Sequence, residues 1–282
     1  MTTDAAQLKQ QQRELWDSLS QAWDQHDAWF QRQTHGITEW LCRVADLRGG
    51  QRVLDIACGS GQPALTAARL VRPGGSVVAT DISEEMLRVA RRKANMADLD
   101  NIEFKQMDAE ALDFPDESFD GVLCRWGLMF CPDPERATRE AHRVLKRNRP
   151  FATTTFAEAK QNPFFEITTR ITAQHLGEPP PPADALTPLR LSDTGRLKSI
   201  LQSAGFQQIE IEGRPFAWEF NDLEHFWRFS SEFTPIMARA MKTLDAGAVE
   251  KLKSDLLEEA SKYREGGRIR FPALALGVYA QK

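Results

Sequence analysis

The sequence predicts an α/β fold with a doubly wound, mostly parallel sheet, and two observations support this prediction. Short apolar runs alternate with helix-like segments between residues 51 and 156, separated by short loops. Residues 52–65 read RVLDIACGSGQPAL, and residues 77–83 read VVATDIS. The order is apolar strand, glycine loop, helix, apolar strand and acid, which is typical of the first half of a nucleotide-binding sheet. Strands and helices that alternate in this way form a parallel sheet with both faces covered.

Each element of this core has a local signal. We expect strands at 51–57, 76–81, 101–106, 119–125 and 151–156, and helices at 62–71, 84–97 and 134–146. Pro63 stands at a helix start, where its missing N–H does no harm. Ser83 can cap the second helix, and Glu84 and Glu85 in its first turn favour the helix dipole.

The segments on either side of the core have different patterns. Residues 7–47 carry apolar residues three and four apart, which predicts amphipathic helices. The four prolines in residues 178–182 predict an extended loop, because proline breaks a helix interior. Further along, we expect a helix at 193–204, a strand at about 207–212, mostly helix over 222–265 and a final strand at 271–280.

The glycine loop allows two interpretations. Residues 59–64 fit the dinucleotide fingerprint G-x-G-x-x-A, which places a pyrophosphate at a helix N-terminus. The alternative ligand is S-adenosylmethionine (SAM), which has an ammonium group and no phosphate. The Asp55 carboxylate suits that ammonium group. Gly59 and Gly61 let the backbone pass close to the ligand. Asp81 suits ribose hydroxyls in either case. Asp108 follows the third strand, where it can accept a hydrogen bond from an adenine amino group, which favours SAM.

Five pieces of the chain resemble a known family. They are VLDIACGSG (53–61), the acid of ATDIS (79–83), QMDAEALDFPDESFD (106–120), GVLCRWGLMF (121–130) and PDPERATREAHRVLK (132–146). In this order, over residues 50–157, the chain resembles the class I SAM-dependent methyltransferases, in the branch of the ubiquinone/menaquinone C-methyltransferases. One departure is a surface turn that reads KRNRP (146–150) where the family usually has a Pro-Gly-Gly type of sequence.

The resemblance implies a domain organisation and a cofactor. The sheet would have seven strands, the last of them antiparallel, with helical cap inserts. The implied segments are an N-terminal helical lid (1–48), the SAM-binding core (49–157), a cap insert (158–192), a core helix and strand (193–213), a second cap insert (214–268) and the final core strand (269–282). SAM would be the cofactor and S-adenosylhomocysteine (SAH) the product.

The predicted cofactor-binding residues come from the loop, the strand ends and the lid. They are Asp55, Ala57, Gly59, Gly61, Gln62, Asp81, Ile82, Met86, Asp108, Ala109, Arg125 and Trp23. We expect Asp81 to bind the ribose and Asp108 with Ala109 to bind the adenine edge, while Ile82 or Met86 either covers an adenine face or belongs to the core. Arg125 has three possible roles: a backbone hydrogen bond, a pair with Asp55, or contact with an acidic substrate.

The predicted acceptor pocket is rich in aromatic residues. Its candidates are Trp126, Phe130, Phe156, Phe164, Phe165, Trp218, Phe226 and Trp227, and the alternative for each is core packing. Such a pocket suits a small aromatic or lipophilic acceptor. An oxygen or nitrogen acceptor also needs a base, and His26 is the candidate among five histidines.

Composition excludes several classes of function. A net charge of −4 gives no electrostatic argument for nucleic acid as a partner. No apolar run reaches the roughly 18 residues of a membrane span, and residues 1–16 lack the apolar centre of a secretory signal, so we expect a cytoplasmic protein. The four cysteines form no CxxC pair, and we expect reduced thiols without a metal.

A SAM-dependent methyltransferase is the leading hypothesis; a non-catalytic SAM-binding protein and an NAD-linked oxidoreductase are the alternatives, and the oligomeric state stays open.

Overall fold

An eight-stranded sheet runs through the protein, in a computed structural model that describes residues 5–282. The strands are β1 (Arg52–Ile56), β2 (Ser76–Asp81), β3 (Ile102–Gln106), β4 (Gly121–Arg125), β5 (Pro150–Phe156), β6 (Gln207–Phe220), β7 (Arg264–Glu265) and β8 (Arg268–Gln281). Their order is β3-β2-β1-β4-β5-β8-β6, with β7 paired to β8. Strands β1 to β5 are parallel, and β8 is antiparallel to the three strands that it pairs with, β5, β6 and β7. The predicted doubly wound fold is confirmed, and the two-residue β7 is an addition to the expected seven strands.

Ten helices surround this sheet in the described part of the chain. They are α1 (Ala5–Gln25), α2 (Asp27–Val44), α3 (Ala64–Leu70), α4 (Glu84–Met96), α5 (Pro134–Val144), α6 (Pro163–His175), α7 (Thr194–Ser203), α8 (Leu223–Phe233), α9 (Pro235–Thr243) and α10 (Ala246–Ser261). The predicted cap of α4 is confirmed, since the Ser83 hydroxyl accepts a hydrogen bond from the Met86 N–H at 3.1 Å. Across residues 5–282, none of these helices combines the length and the apolar character that a membrane crossing requires.

The order of the strands determines where a ligand can enter. β1 lies between β2 and β4, so the chain moves one way across the sheet from β1 to β3 and then returns to add β4 and β5 on the other side. β4 and β5 are buried over their whole length, as expected for strands with helices on both faces. In such sheets ligands bind outside the carboxyl ends of the strands, at the point where the order reverses. Here that point lies between β1 and β4.

The hairpin of β6 and β8 is longer than the sequence predicted. β6 pairs with β8 as far as the Phe220–Ile269 pair, although we expected the strand to end near residue 212 and a cap insert to start at residue 214. Phe216, Trp218 and Phe220 occupy alternate positions, which is the period of a strand. Helices α8 to α10 therefore begin only after Phe220. The expected lid and cap boundaries stay predictions, and residues 1–4 of the lid lie outside the described residues.

Helix α2 crosses the sheet near Gly277 of β8. A Cβ atom at Gly277 would lie 2.6 Å from Cη2 of Trp40, which belongs to α2 and is buried. The Trp40 indole N–H donates a hydrogen bond to Glu212 of β6. Glycine at this position therefore allows the helix to contact the sheet directly.

Candidate active site

A cavity of about 480 Å³ lies at the carboxyl ends of β1, β2 and β4. This volume is in the range of small-molecule sites, about 300–1,000 Å³. The predicted residues that line it are Trp23, Ala57, Gly59, Gln62, Asp81, Ile82, Met86, Asp108, Ala109, Arg125, Trp126, Phe130, Phe156, Phe164, Phe165 and Trp218. The fold thus brings the glycine loop, both predicted nucleoside-binding acids and most of the predicted aromatic residues to one cavity.

Asp81 is the last residue of β2 and lies at one edge of the cavity. Its Oδ2 accepts a hydrogen bond from the Gly59 N–H at 2.8 Å, and its Oδ1 accepts one from the Ser83 N–H at 2.9 Å. Burial raises the pKa of Asp81 from 3.8 to about 6, against the opposing effect of these two N–H groups. Each carboxylate oxygen can still accept a second hydrogen bond. The carboxylate can therefore accept hydrogen bonds from both hydroxyl groups of a ribose.

The glycine loop leaves room for a ligand beside this carboxylate. Gly59 has a φ of +52°, and no atom lies within 4 Å of the position that a Cβ atom would occupy. A side chain here would be strained, and it would fill space next to the cavity that Gly59 lines. Gly61 has a different role: with a φ of +118° it packs against Leu65 and does not line the cavity.

Asp55 lies behind the glycine loop and does not line the cavity. Its Oδ2 accepts a hydrogen bond from the Ala64 N–H at 2.9 Å, at the start of α3. Its Oδ1 is buried, with no hydrogen-bond partner among the described residues. Burial raises the pKa of this carboxyl group well above its usual value, and the Ala64 N–H and the Arg125 charge oppose the rise. Asp55 therefore accepts an N–H that a dinucleotide pyrophosphate at this helix N-terminus would otherwise use. Its predicted contact with the ammonium group of SAM stays a prediction.

Asp108 contacts the N-terminal helix. Its Oδ1 accepts a hydrogen bond from the Glu110 N–H at 2.9 Å, and its Oδ2 pairs with Lys9 Nζ of α1 at 2.7 Å. Lys9 also pairs with Glu110 Oε2 at 2.5 Å. The sequence analysis did not single out Lys9 or Glu110, because a polar helix surface gives no local signal for a contact so distant along the chain.

Arg125 ends β4 and is only 8% exposed. Its Nη1 donates to three side chains of α2, which are Thr38 at 2.8 Å, Gln31 at 3.2 Å and Thr34 at 3.4 Å. Burial lowers the pKa of Arg125 to about 10, so it remains charged at neutral pH. Asp55 is not within ion-pair distance of Arg125, so the structure does not support the direct pair that the sequence left open.

An aromatic wall forms the rest of the cavity. Trp126 stacks on Phe156 with ring centroids 4.9 Å apart, and Trp23 stacks on Phe233 at 4.1 Å. Phe30 of α2 touches the rings of Trp23, Trp126 and Trp218 at centroid distances of 5.1, 5.9 and 5.5 Å. The sequence placed Phe30 on an amphipathic helix, but periodicity alone could not show that this face lines a cavity.

Besides Asp55 and Gly61, three predicted site residues lie outside the cavity lining. His26, the candidate base, has its Nε2 2.8 Å from Glu232 Oε2 and its ring edge against Phe229. Trp227 lies on α8 with Lys253 Nζ 5.6 Å from its ring centroid. Phe226, also proposed for the pocket, is fully buried in the core. None of the five histidines, all within the described residues, lines the cavity.

Comparisons with known proteins identify the family of the chain. Residues 54–152 match the model of a protein family whose description is 'methyltransferase domain'. The chain is 34% identical over 178 residues to the ubiquinone/menaquinone biosynthesis C-methyltransferase UbiE of Escherichia coli, covering 58% of this chain and 69% of that protein.

Solved structures show the same fold. The YcgJ protein of Bacillus subtilis is 21% identical, with a TM-score of 0.59 over 88% of this chain and 98% of that one. Phosphoethanolamine N-methyltransferase 2 of Haemonchus contortus, solved with SAM, is 20% identical with a TM-score of 0.53, over 86% of this chain and 51% of that one. From these relatives, the chain belongs to the class I SAM-dependent methyltransferases, in the branch of the ubiquinone/menaquinone C-methyltransferases.

Proposed function

We propose that this protein transfers the methyl group of SAM to a small aromatic or lipophilic acceptor. The observation that carries the proposal is the continuity of the cavity, which joins Asp81 and Asp108 to the aromatic wall of Trp126, Phe156 and Trp218. One end therefore suits a nucleoside and the other suits an apolar ring. The name of the relative UbiE, a ubiquinone/menaquinone C-methyltransferase, supports a lipophilic, quinone-like acceptor.

The residues at the polar end would hold SAM. Asp81 would accept hydrogen bonds from the ribose hydroxyls, and Asp108 with Ala109 would bind the adenine edge. Met86, which is 2% exposed and lines the cavity, would cover one face of the adenine. The remaining predicted residues of the loop and the lid, which are Ala57, Gln62, Ile82 and Trp23, would surround the ligand from the sides.

The chemistry requires alignment more than acid or base catalysis. When bound, SAM supplies a methyl group that its sulfonium already activates. The aromatic wall would orient the acceptor and exclude water, which favours direct displacement. Because no histidine of the described chain lines the cavity, we assign no general base.

The test is methyl transfer from radiolabelled SAM to a panel of phenols, quinols and apolar aromatic compounds, after calorimetric titration with SAH and NAD. We expect SAH to bind, NAD not to bind, and at least one aromatic acceptor to become labelled. Binding of SAH without transfer to any acceptor would favour the non-catalytic alternative. Absence of SAH binding by a folded protein would refute the proposal.

A further inference from the structure

Arg125 is a buried cation without an anionic partner. No carboxylate oxygen in residues 5–282 lies within the 4.0 Å of an ion pair, and its three side-chain hydrogen-bond partners are neutral. A buried charge is costly unless it is paired. The carboxylates of Asp55 and Asp27 favour the charge of Arg125 only from a greater distance. Since Arg125 also lines the cavity, an anionic ligand can form the close ion pair that the described residues do not supply.

The guanidinium is held in position without using all of its donors. The three bonds to α2 all involve Nη1, and an arginine has five N–H donors in total. Its carbon Cζ also lies 5.6 Å from the centroid of Phe30 and 5.3 Å from that of Trp126. The α2 side chains and the two rings fix the group, while Nε and Nη2 remain for another acceptor.

Three further donors line the same cavity without partners: the indole Nε1 of Trp23 on α1, and those of two tryptophans on or next to the sheet. The indole Nε1 atoms of Trp126 and Trp218 are buried and have no hydrogen-bond partner among the described residues. Their side chains are 8% and 2% exposed, and both rings contact Phe30. A buried indole N–H normally has a partner, so these two donors indicate a ligand that brings oxygen atoms.

A second arginine of the cavity provides a contrast. Arg239 of α9 also lines the cavity, but it forms two hydrogen bonds with Glu178, at 2.5 and 2.6 Å. Its charge is therefore neutralised within the protein. This difference makes Arg239 a matched control for Arg125.

We propose that Arg125, together with the indole N–H groups of Trp126 and Trp218, forms an oxyanion site inside the cavity. Its ligand is a carboxylate or an ionised phenolic or enolic oxygen. Two sources bring this chemistry into the cavity: the carboxylate of the amino-acid part of SAM, and an anionic acceptor. The inference rests on the proposed function, since it assumes that both molecules enter this cavity.

The experiment compares ligands in pairs, of which one member carries a carboxylate and the other does not. Calorimetry gives the affinities for SAH and methylthioadenosine, which lacks the carboxylate and amino groups, and for naphthoate and its neutral amide naphthamide in the presence of SAH. The variants are Arg125→Met, Arg125→Lys, Trp126→Phe and Trp218→Phe, with Arg239→Met as the control. Melting temperatures establish that each variant is folded.

The two pairs separate the two sources. Selective weakening of SAH by R125M, by about tenfold or more, assigns the site to the carboxylate of SAM. A similar loss of preference for naphthoate over naphthamide assigns it to the acceptor. In either case we expect R125K to retain part of the preference, the indole variants to reduce it, and R239M to leave it unchanged.

Other outcomes count against the site. Equal discrimination by the wild type and R125M in both pairs overturns the proposal, and so does a wild type that prefers neither anionic ligand. If R125M does not fold, R125K and the two indole variants decide the question. Failure of SAH to bind the wild type would refute the proposed function, whereas the naphthoate comparison, repeated without SAH, would still test the oxyanion site.

Discussion

Replacement of Asp81 by alanine tests the polar end of the cavity most directly. The carboxylate accepts hydrogen bonds from the Gly59 and Ser83 N–H groups, and each of its oxygens can accept one more. We propose that the ribose hydroxyls occupy those positions. Asp81→Ala therefore removes the ribose contact and one anchor of the glycine loop together.

The expected loss of affinity follows from these contacts. A hydrogen bond to a charged group contributes about 1.5–3 kcal/mol, so we expect SAH to bind about 10- to 100-fold more weakly. Two opposing effects act on stability. The variant leaves two backbone N–H groups unpaired, but it also removes a carboxylate whose burial raises its pKa to about 6. Because these two effects on stability oppose each other, we expect a clear loss of SAH affinity with little change in melting temperature.

The assay is calorimetric titration with SAH at pH 7.5, with Asp120→Ala as the matched control. Asp120 also accepts a backbone hydrogen bond, from Arg52 N at 2.9 Å, and pairs with Lys146 Nζ at 2.9 Å, but it does not line the cavity. We expect the control to bind SAH as the wild type does. Unchanged SAH affinity in a folded Asp81→Ala variant would refute the ribose assignment.

Three further predictions follow from the same structure. SAH affinity should fall as the pH drops through about 6, because the Asp81 carboxylate takes up a proton, and a flat affinity profile in calorimetry would contradict the role. In the free protein the raised pKa of Asp81 stabilises the fold below its ordinary pKa of 3.8, and this contribution is lost as the pH rises through about 6, which urea unfolding across pH 4–8 measures. Gly277→Ala should lower the unfolding free energy by about 1–3 kcal/mol in urea, because its Cβ atom would meet the Trp40 ring, and an unchanged midpoint would show that the helix can move away. Once an acceptor is known, the His26→Ala variant should keep most of the wild-type kcat, because His26 does not line the cavity; a loss of about 10²–10⁴-fold would instead identify His26 as a general base.

The parallel core could be predicted because its signals are local. A few adjacent residues determine both the strand that ends at Asp81 and the helix cap at Ser83. The structure has both where the sequence predicted them. The aromatic residues were harder to sort. Trp218 and Trp227 have similar surroundings in the sequence, but Trp218 lies on a strand that faces the cavity and Trp227 on a helix face that does not.

Contacts between remote segments account for what the sequence analysis missed. Phe30 meets Trp218 because α2 crosses the long hairpin, and the length of that hairpin was underestimated. His26 looked available on a predicted lid, but its partner Glu232 lies on a helix whose position no periodicity reveals. Such pairings depend on tertiary packing, which local patterns do not encode.

Helix α1 supplies one wall of the cavity and is attached both by aromatic rings, since Trp23 contacts Phe30 and Phe233, and by polar groups. Its buried residues are Leu19 and Ser20. It is joined to the core by Lys9 with Asp108 at 2.7 Å, Asp17 with Ser83 at 2.5 Å and Asp24 with Arg92 at 2.5 Å. Contacts between partly exposed charges weaken as counter-ions screen them. Part of the attachment of this wall thus depends on ionic strength, so we expect added salt to speed the entry and release of ligands while the sheet beneath stays unchanged.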